Sequence, residues 1–358
     1  MTQFIGFYRE KRSILMLTCL DEAWAGVRGT RDRSGDVQSR AYVLASLVPY
    51  LPRNEQGDVL PDVLSLLDGI RQPYQRARVL TVVAPYLPLD LRESELQTVL
   101  AMADKISDKE LRAYTLMMIT PHLPDGQRRA VQRDALAIAR TIRHIPYRAY
   151  CLVALAPQLP PELLSEALTS ALRIRDRLYC VYTLAALEPR LDGEQRLAVL
   201  TDIRDREGEE PHLSTMHAVL SPDTPPDMRK VTLLAALSQA QTVEDVPCRI
   251  LALYSLAPHL PNEMLPSVLN EALVWVRGTR QRDRRARMFS MFVPIWSSLP
   301  THQAYALWSA TLRLRTLRSR PGFLTDLGAL SPIIFRLGGA RAVVETVRAV
   351  KDVTRYMP

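Results

Sequence analysis

Arginine recurs at one position of a repeated phrase, and this array is the part of the sequence best suited to bind a charged partner. A guanidinium group presents a planar fork of N–H donors that matches a carboxylate or a phosphate. Stacked repeats would place these side chains in a row, which predicts a site for an acidic peptide or a phosphate backbone. Alternatively, each arginine packs its stem on apolar residues and pairs with a loop acid such as Asp36, Asp108 or Asp245. The row comprises Arg40, Arg76, Arg112, Arg148, Arg249 and Arg285.

Tyrosines recur two positions after this arginine site. Aromatic side chains interleaved with basic ones can stack on bases or anchor a partner peptide. Packing between neighbouring repeats would explain them as well, so both interpretations stay open. The tyrosines are Tyr42, Tyr114, Tyr150 and Tyr182.

Two charged segments depart from the repeat, VRGTRDRSGDVQSR from Val27 and VRGTRQRDRRARM from Val276. Departures of this kind often mark the binding face of a repeat protein. We predict that both are loops and that they contact a negatively charged partner; the alternative is a pair of solvated, mobile loops. The first segment supplies Arg28, Arg31 and Arg33, and the second supplies Arg280, Arg282, Arg284, Arg285 and Arg287.

Catalytic patterns find little support in the sequence. His212 and His217 are five residues apart, whereas three or four would place two ligands on one face of a helix. No GxxxxGK[ST], HExxH or GxSxG motif occurs. We predict no enzymatic activity, no metal site and no cofactor.

Composition bounds the location and the partners of the chain. The four cysteines are far apart and form no CxxC pair, which favours a reducing, cytoplasmic compartment. No apolar run approaches the roughly 18 residues that cross a bilayer, so no membrane partner is expected. The formal net charge of +8 favours acidic partners, either protein or nucleic acid.

The segment that carries each arginine of the row is a repeat. RAYTLMMITPHLP from Arg112 returns as RAYCLVALAPQLP from Arg148, and related phrases begin at Arg40, Arg76, Arg249 and Arg285. Weaker copies begin at Cys180, Leu213 and Phe323. A proline marks the register at Pro49, Pro85, Pro121, Pro157, Pro189, Pro222, Pro258, Pro294 and Pro332, with spacings of 32 to 38 residues. This period is typical of stacked-repeat proteins.

One repeat, residues 92–124, predicts two helices. Helix A carries an apolar stripe at the three- and four-residue spacing of an amphipathic helix, formed by Leu96, Val99, Leu100, Ala103 and Ile106. Ser107 and Glu110 match a capping box that begins helix B. Pro121 disfavours continuation of helix B because it lacks an amide hydrogen, and Leu123 extends the apolar stripe.

A helical hairpin cannot bury its stripe alone, so stacking must do so. We predict an all-α, right-handed α-solenoid of about nine hairpins with an extended, concave surface. The array forms a single domain over residues 1–358, with a bend near 192–226 as one interpretation of the irregular middle. After Gly338 and Gly339, ARAVVETVRAVKDVTRYMP predicts a capping helix with a polar outer side.

The LAPHLP-type phrases, the step Ile174-Arg175-Asp176 and the ending FRLGG…AVKDVTRYMP resemble the HEAT-like C-terminal repeats of bacterial NACHT/STAND ATPases and caspase-like signalling proteins. This resemblance covers nearly the whole chain. It implies a non-enzymatic scaffold, adaptor or sensor in bacterial signalling or defence, whose concave face and charged loops bind a protein partner, acidic or a separately encoded effector enzyme. The alternative is a HEAT-like solenoid that binds nucleic acid on a basic concave face.

Overall fold

A computed structural model describes residues 36–206, 226–242, 246–312 and 319–355. Over these ranges the chain forms α-helices, short 3-10 helices and turns without strands, which confirms the all-α class. The α-helices are α1 (Asp36–Leu47), α2 (Arg53–Asp68), α3 (Pro73–Val83), α4 (Leu89–Ala103), α5 (Lys109–Ile119), α6 (Asp125–Arg140), α7 (Ile145–Leu155), α8 (Pro161–Leu172), α9 (Arg177–Leu187), α10 (Gly193–Arg206), α11 (Pro226–Thr242), α12 (Val246–Leu256), α13 (Leu265–Gly278), α14 (Arg282–Ser298), α15 (Thr301–Leu312), α16 (Arg320–Ala329) and α17 (Ser331–Arg355). The B helices are α1, α3, α5, α7, α9, α12, α14 and α16.

The repeated proline ends helix B in the predicted way. In six of the described repeats the α-helix is followed directly by a 3-10 helix whose second residue is the proline, as in Thr120–His122 after α5. Proline suits this position because it offers no amide hydrogen for an α-helical bond. The second residue after the proline is Leu123 in this repeat. It is extended and buried, and its N–H donates to the carbonyl of Thr120. Pro294 differs, since α14 continues through it to Ser298.

The start of α5 corrects one local prediction. Asp108, not Ser107, is the residue that caps the helix, and its Oδ1 accepts a hydrogen bond of 2.9 Å from the N–H of Leu111. Aspartate is as good a capping residue as serine, and its carboxylate also suits the positive end of a helix. The predicted capping box of Ser107 and Glu110 was therefore wrong by one residue.

The contacts divide the chain into two compact units, residues 96–268 (the middle unit) and residues 1–95 with 269–358 (the terminal unit). In the middle unit, the B helices α5, α7, α9 and α12 pack in this order. Helices α6, α8 and α11 cover them as A helices. The helix B predicted for the sixth repeat falls at 207–225, outside the described residues, and α9 contacts α12 directly. Most of the segment 192–226, where a bend was predicted, also lies outside the described residues.

The terminal unit brings the first and last described hairpins together. Helix α1 packs mainly against α16. The B helices of the terminal unit therefore follow one another in the order α14, α16, α1, α3. The hydroxyl groups of Thr325 on α16 and Ser39 on α1 share a buried hydrogen bond of 2.9 Å. Gly328 permits the close approach, because a Cβ atom at this position would lie 2.6 Å from the ring of Tyr42. A linear stack, in which repeats contact only their neighbours in sequence, does not predict this packing.

The last helix is two helices joined at a glycine. Gly339 has φ 65° and ψ −167°, a conformation that residues with a Cβ atom avoid, so the helix axis breaks there. The part after Gly339 buries Val343 and Val347 and exposes Arg341 and Arg348. A helix with a polar outer side thus follows Gly339 up to Arg355, and its role as the cap of a repeat array stays a prediction.

Helix α16 is buried at each of its ten residues by its neighbours in the terminal unit. Of the helices described, none has by itself the length and apolar character of a bilayer span. Helices α16 and α17, which meet at an angle of 80°, satisfy that criterion only when they are counted as one bent pair.

Candidate partner-binding surface

Arg76, in the first turn of α3, has a hydrogen-bond partner for each nitrogen of its guanidinium. Its Nε donates to Glu95 Oε2 at 2.9 Å, and its Nη2 donates to both oxygens of Glu95 at 2.7 and 2.8 Å. Its Nη1 donates to the carbonyl of Leu67 at 3.0 Å. This forked pair is largely buried and neutralises the guanidinium, so Arg76 is not presented to a ligand.

Arg285, in the first turn of α14, is held even more deeply. Its Nε lies 2.9 Å from each carboxylate oxygen of Asp326, and its Nη1 donates to the carbonyl of Thr279 at 2.8 Å. The side chain of Asp326 is 1% exposed. A buried ion pair of this kind joins α14 to α16 inside the terminal unit and serves packing.

The other arginines of the row differ in their surroundings. Arg112 pairs with Asp104 at 2.8 Å near the surface, while Asp108, one of the predicted acid partners, caps α5. Arg249 is buried, and Arg40 is half-buried. Arg148 is half-buried, and no described carboxylate forms an ion pair with it. Among the described side chains, Arg76, Arg112 and Arg285 each pair with an acid that the sequence did not single out, whereas Asp245 and the side chain of Asp36 lie outside the described residues.

The tyrosine row connects neighbouring B helices. In the terminal unit the guanidinium of Arg78 lies 3.6 Å from the ring centre of Tyr42. In the middle unit the rings of Tyr114 and Tyr150 are stacked, with centres 5.6 Å apart and planes inclined by 12°. Their hydroxyl oxygens are 3.0 Å apart. Both tyrosines are half-buried, whereas the side chain of Tyr182 lies outside the described residues. The Tyr114–Tyr150 pair therefore joins two repeats and still offers aromatic surface.

The second charged segment is not a loop. Helix α13 ends at Gly278 and α14 begins at Arg282, so only residues 279–281 connect them. The prediction of an extended loop was wrong because most of RQRDRRAR forms the first turns of α14. Of its five arginines only Arg280 is exposed; Arg282 and Arg284 are half-buried, and Arg287 lies 5.6 Å from the ring centre of Tyr74. The first segment, with Arg28, Arg31 and Arg33, lies outside the described residues. A binding role for either segment stays a prediction.

Asp283 is a residue that the sequence reasoning missed. Its carboxylate accepts hydrogen bonds of 2.8 Å from Gln75 Nε2 and from Arg78 Nη1, which connect α14 to α3. A signal was present, because Asp283 is the one acid within RQRDRRAR and Asp326 is the one acid within FLTDLGALSPIIF. A lone acid among arginines or apolar residues indicates a paired carboxylate, which is partly exposed at Asp283 and buried at Asp326.

Burial raises the pKa of the Tyr74 phenol, although the neighbouring Arg78 and Arg287 guanidinium groups oppose the shift. A free phenol ionises near pH 10. The folded state therefore keeps Tyr74 neutral at pH values where the unfolded chain ionises it. The contribution of neutral Tyr74 to the free energy of unfolding is complete below about pH 10 and is lost as the pH rises toward the folded pKa.

We expect Tyr74→Phe to reduce the loss of unfolding free energy between about pH 8 and pH 11, because it removes the ionisation that favours the unfolded chain. Urea unfolding at both pH values measures this effect. Tyr86→Phe, which changes a half-exposed ring of the same unit, controls for loss of a hydroxyl. Equal pH dependence in the wild type and Tyr74→Phe would contradict the expectation.

The described residues contain no group of three or more His, Cys, Asp or Glu side chains placed to hold a metal ion. His212 and His217 lie outside them. What the described side chains offer chemically is aromatic surface and guanidinium groups, some already paired. Comparison with protein-family models, with curated proteins and with solved structures finds no match, so the resemblance to signalling-associated repeats remains a prediction from the repeated phrases.

Proposed function

We propose that this protein is a non-enzymatic interaction scaffold, an adaptor or sensor that binds a partner protein, in the cytoplasm and in a bacterial signalling or defence system. The setting comes from the resemblance of the repeats. The proposal includes a right-handed solenoid of about nine hairpins, supported by the six repeats that share one proline-centred helix end. Stacked hairpins present a surface built from several repeats, to which a partner can bind.

The Tyr114–Tyr150 pair is the observation that carries the proposal. The exposed part of a half-buried tyrosine supplies apolar contact area and a polar hydroxyl, and aromatic anchors dominate the binding energy of protein interfaces. The stack and the contact between hydroxyl groups hold the two rings in place before a partner arrives. Little side-chain entropy is then lost on binding, which favours affinity.

The paired arginines support a protein partner over nucleic acid. A duplex is bound by several free cationic groups along its phosphates. Arg76, Arg112 and Arg285 are already engaged by carboxylates, which weakens the row as a phosphate track. Nucleic acid stays the alternative because the net charge is +8.

Affinity capture with the full chain, followed by titration of the captured partner, tests the proposal. We expect the double substitution Tyr114→Ser and Tyr150→Ser to lower the affinity for that partner by about 30-fold, the effect of losing roughly 2 kcal/mol at an aromatic anchor. Tyr114→Phe with Tyr150→Phe keeps both rings and should retain most of the affinity. Circular dichroism of both double variants reports whether the helices are intact.

Two outcomes would contradict the proposal of a protein-binding scaffold. One is equal affinity of the partner for the serine variant and the wild type. The other is tight binding of a DNA duplex that weakens steeply between low and moderate salt, since this slope measures phosphate contacts and favours the alternative.

A further inference from the structure

A pocket of about 330 Å³ opens in the middle unit between the C-terminal ends of α6 and α8 and the first turn of α7. Its size falls in the range of small-molecule sites. Three of its lining residues are arginines and two carry hydroxyl groups. The lining residues are Ala137, Arg140, Thr141, Arg148, Ser170 and Arg173.

Neighbouring repeats show what this pocket lacks. Eight residues before Arg76 stands Asp68, and eight residues before Arg112 stands Asp104; each carboxylate lies within 4 Å of its arginine. Eight residues before Arg148 the chain has Arg140 instead. The repeat thus places a second positive charge where two other repeats place a carboxylate.

The second acid of the pattern is also missing. Glu95, which holds Arg76 in a fork, lies nineteen residues after it, and the corresponding residue after Arg148 is Ala167. The Nε of Arg148 is buried and has no hydrogen-bond partner. The Nε of Arg112 is in the same state, so what sets Arg148 apart is the missing carboxylate at both positions.

The charges around the pocket leave a positive surplus. Among the described residues, Arg140 pairs with Glu166 at 3.2 Å, whereas Arg148 and Arg173 form no ion pair. The C-terminal ends of α6 and α8 each contribute about half a negative charge, and the N-terminal end of α7 contributes about half a positive charge. More than one positive charge remains uncompensated, which favours a dianion over a single carboxylate.

The two hydroxyl groups in the pocket indicate which groups the ligand carries besides its anionic group. Thr141 Oγ1 donates to the carbonyl of Ile138 at 2.8 Å, and Ser170 Oγ donates to the carbonyl of Glu166 at 2.8 Å. Because each hydroxyl hydrogen is already used, both oxygens are left as acceptors. They suit a ligand that carries its own O–H or N–H donors beside its anionic group.

We propose that this pocket binds a phosphate monoester that also carries hydroxyl groups, of the class of sugar phosphates and nucleotides, with Arg148 and Arg173 on the phosphate. Guanidinium groups match phosphate oxygens in charge and geometry. Thr141 and Ser170 accept hydrogen bonds from the ligand hydroxyl groups. The proposal goes beyond partner binding and gives the scaffold a small-molecule site of its own.

Calorimetric titration of the full chain with glucose 6-phosphate, AMP and inorganic phosphate tests the site. We expect at least one ester to bind more tightly than inorganic phosphate, and Arg148→Gln to weaken it by about tenfold or more, as for a lost hydrogen bond to a charged group. The matched control is Arg112→Gln, which changes the arginine one repeat earlier, whose Nη2 is bound to Asp104. It should leave the affinity unchanged.

Thermal unfolding separates a binding role from a structural one. Removal of Arg148 relieves repulsion with Arg140, so Arg148→Gln should keep or raise the melting temperature without ligand while it abolishes stabilisation by the ester. The proposal fails if neither ester binds, if inorganic phosphate binds as tightly as both, or if Arg112→Gln loses as much affinity. It also fails if Arg148→Gln lowers the melting temperature and binds the ester like the wild type.

Discussion

Asp326→Asn is expected to lower the free energy of unfolding of the terminal unit by about 3–5 kcal/mol, the range measured when one partner of a buried ion pair is removed. Asparagine keeps the size of the side chain and removes its charge. The guanidinium of Arg285, held in the interior against both carboxylate oxygens, would then be charged and incompletely paired. Urea unfolding followed by circular dichroism measures the change.

Asp62→Asn is the matched control in the same unit. Asp62 forms a shorter ion pair with Lys351, at 2.7 Å, but both side chains are partly exposed. Solvent screens that pair, so its loss should cost less than about 1 kcal/mol. Similar effects of the two substitutions would show that Arg285 and Asp326 are not buried together. Arg285→Met with Asp326→Leu should recover much of the loss, because apolar replacement of both charges removes their desolvation cost.

Gly328→Leu is expected to destabilise the terminal unit by about 3 kcal/mol or more, the upper part of the range for overpacked interfaces. Even a Cβ atom at Gly328 would lie 2.6 Å from the ring of Tyr42 and 3.2 Å from the Cα of Val43. The ring has little freedom to yield because Arg78 covers its face at 3.6 Å. Helices α16 and α1 would have to separate. Thermal unfolding monitored by circular dichroism reports the loss.

Gly57→Leu provides the comparison for Gly328→Leu. Nothing lies within 4 Å of a Cβ atom at Gly57, which is exposed on α2. Leucine there should stabilise the protein by roughly 0.5–1 kcal/mol through its better helix propensity. If Gly328→Leu were as well tolerated as Gly57→Leu, the packing of α1 against α16 would be refuted, and a linear stack would regain support.

Arg148 marks the limit of what a periodic pattern can reveal. All six arginines of the row occupy the same position of the repeated phrase. Arg76 is nonetheless neutralised by Glu95, whereas Arg148 faces a pocket beside Arg140. Arg76 and Arg148 differ in the residues eight positions before and nineteen positions after them. Those two offsets are not sufficient, because Arg285 also lacks an acid at both, with Arg277 and Ala304 there, and is neutralised by the distant Asp326.

Local structure was determined by the sequence alone. Pro121 and five equivalent prolines, though not Pro294, convert the end of helix B into a 3-10 turn because a missing amide hydrogen acts on the chain within one turn. Gly339 breaks the last helix for a similar reason, since its backbone conformation excludes a side chain. Short-range effects of this kind depend on neighbours in the chain, and these are written in the sequence.

Only the tertiary structure decided which distant residues meet. The hydrogen bond of Thr325 to Ser39, the pairing of Arg285 with Asp326 and the approach of Gly328 to Tyr42 join segments that share no pattern. An apolar stripe indicates that a helix face is buried, but it does not indicate which helix covers that face, because the hydrophobic effect is not directional. Shape complementarity between whole helices makes that choice, and so brings the chain's first and last described hairpins together.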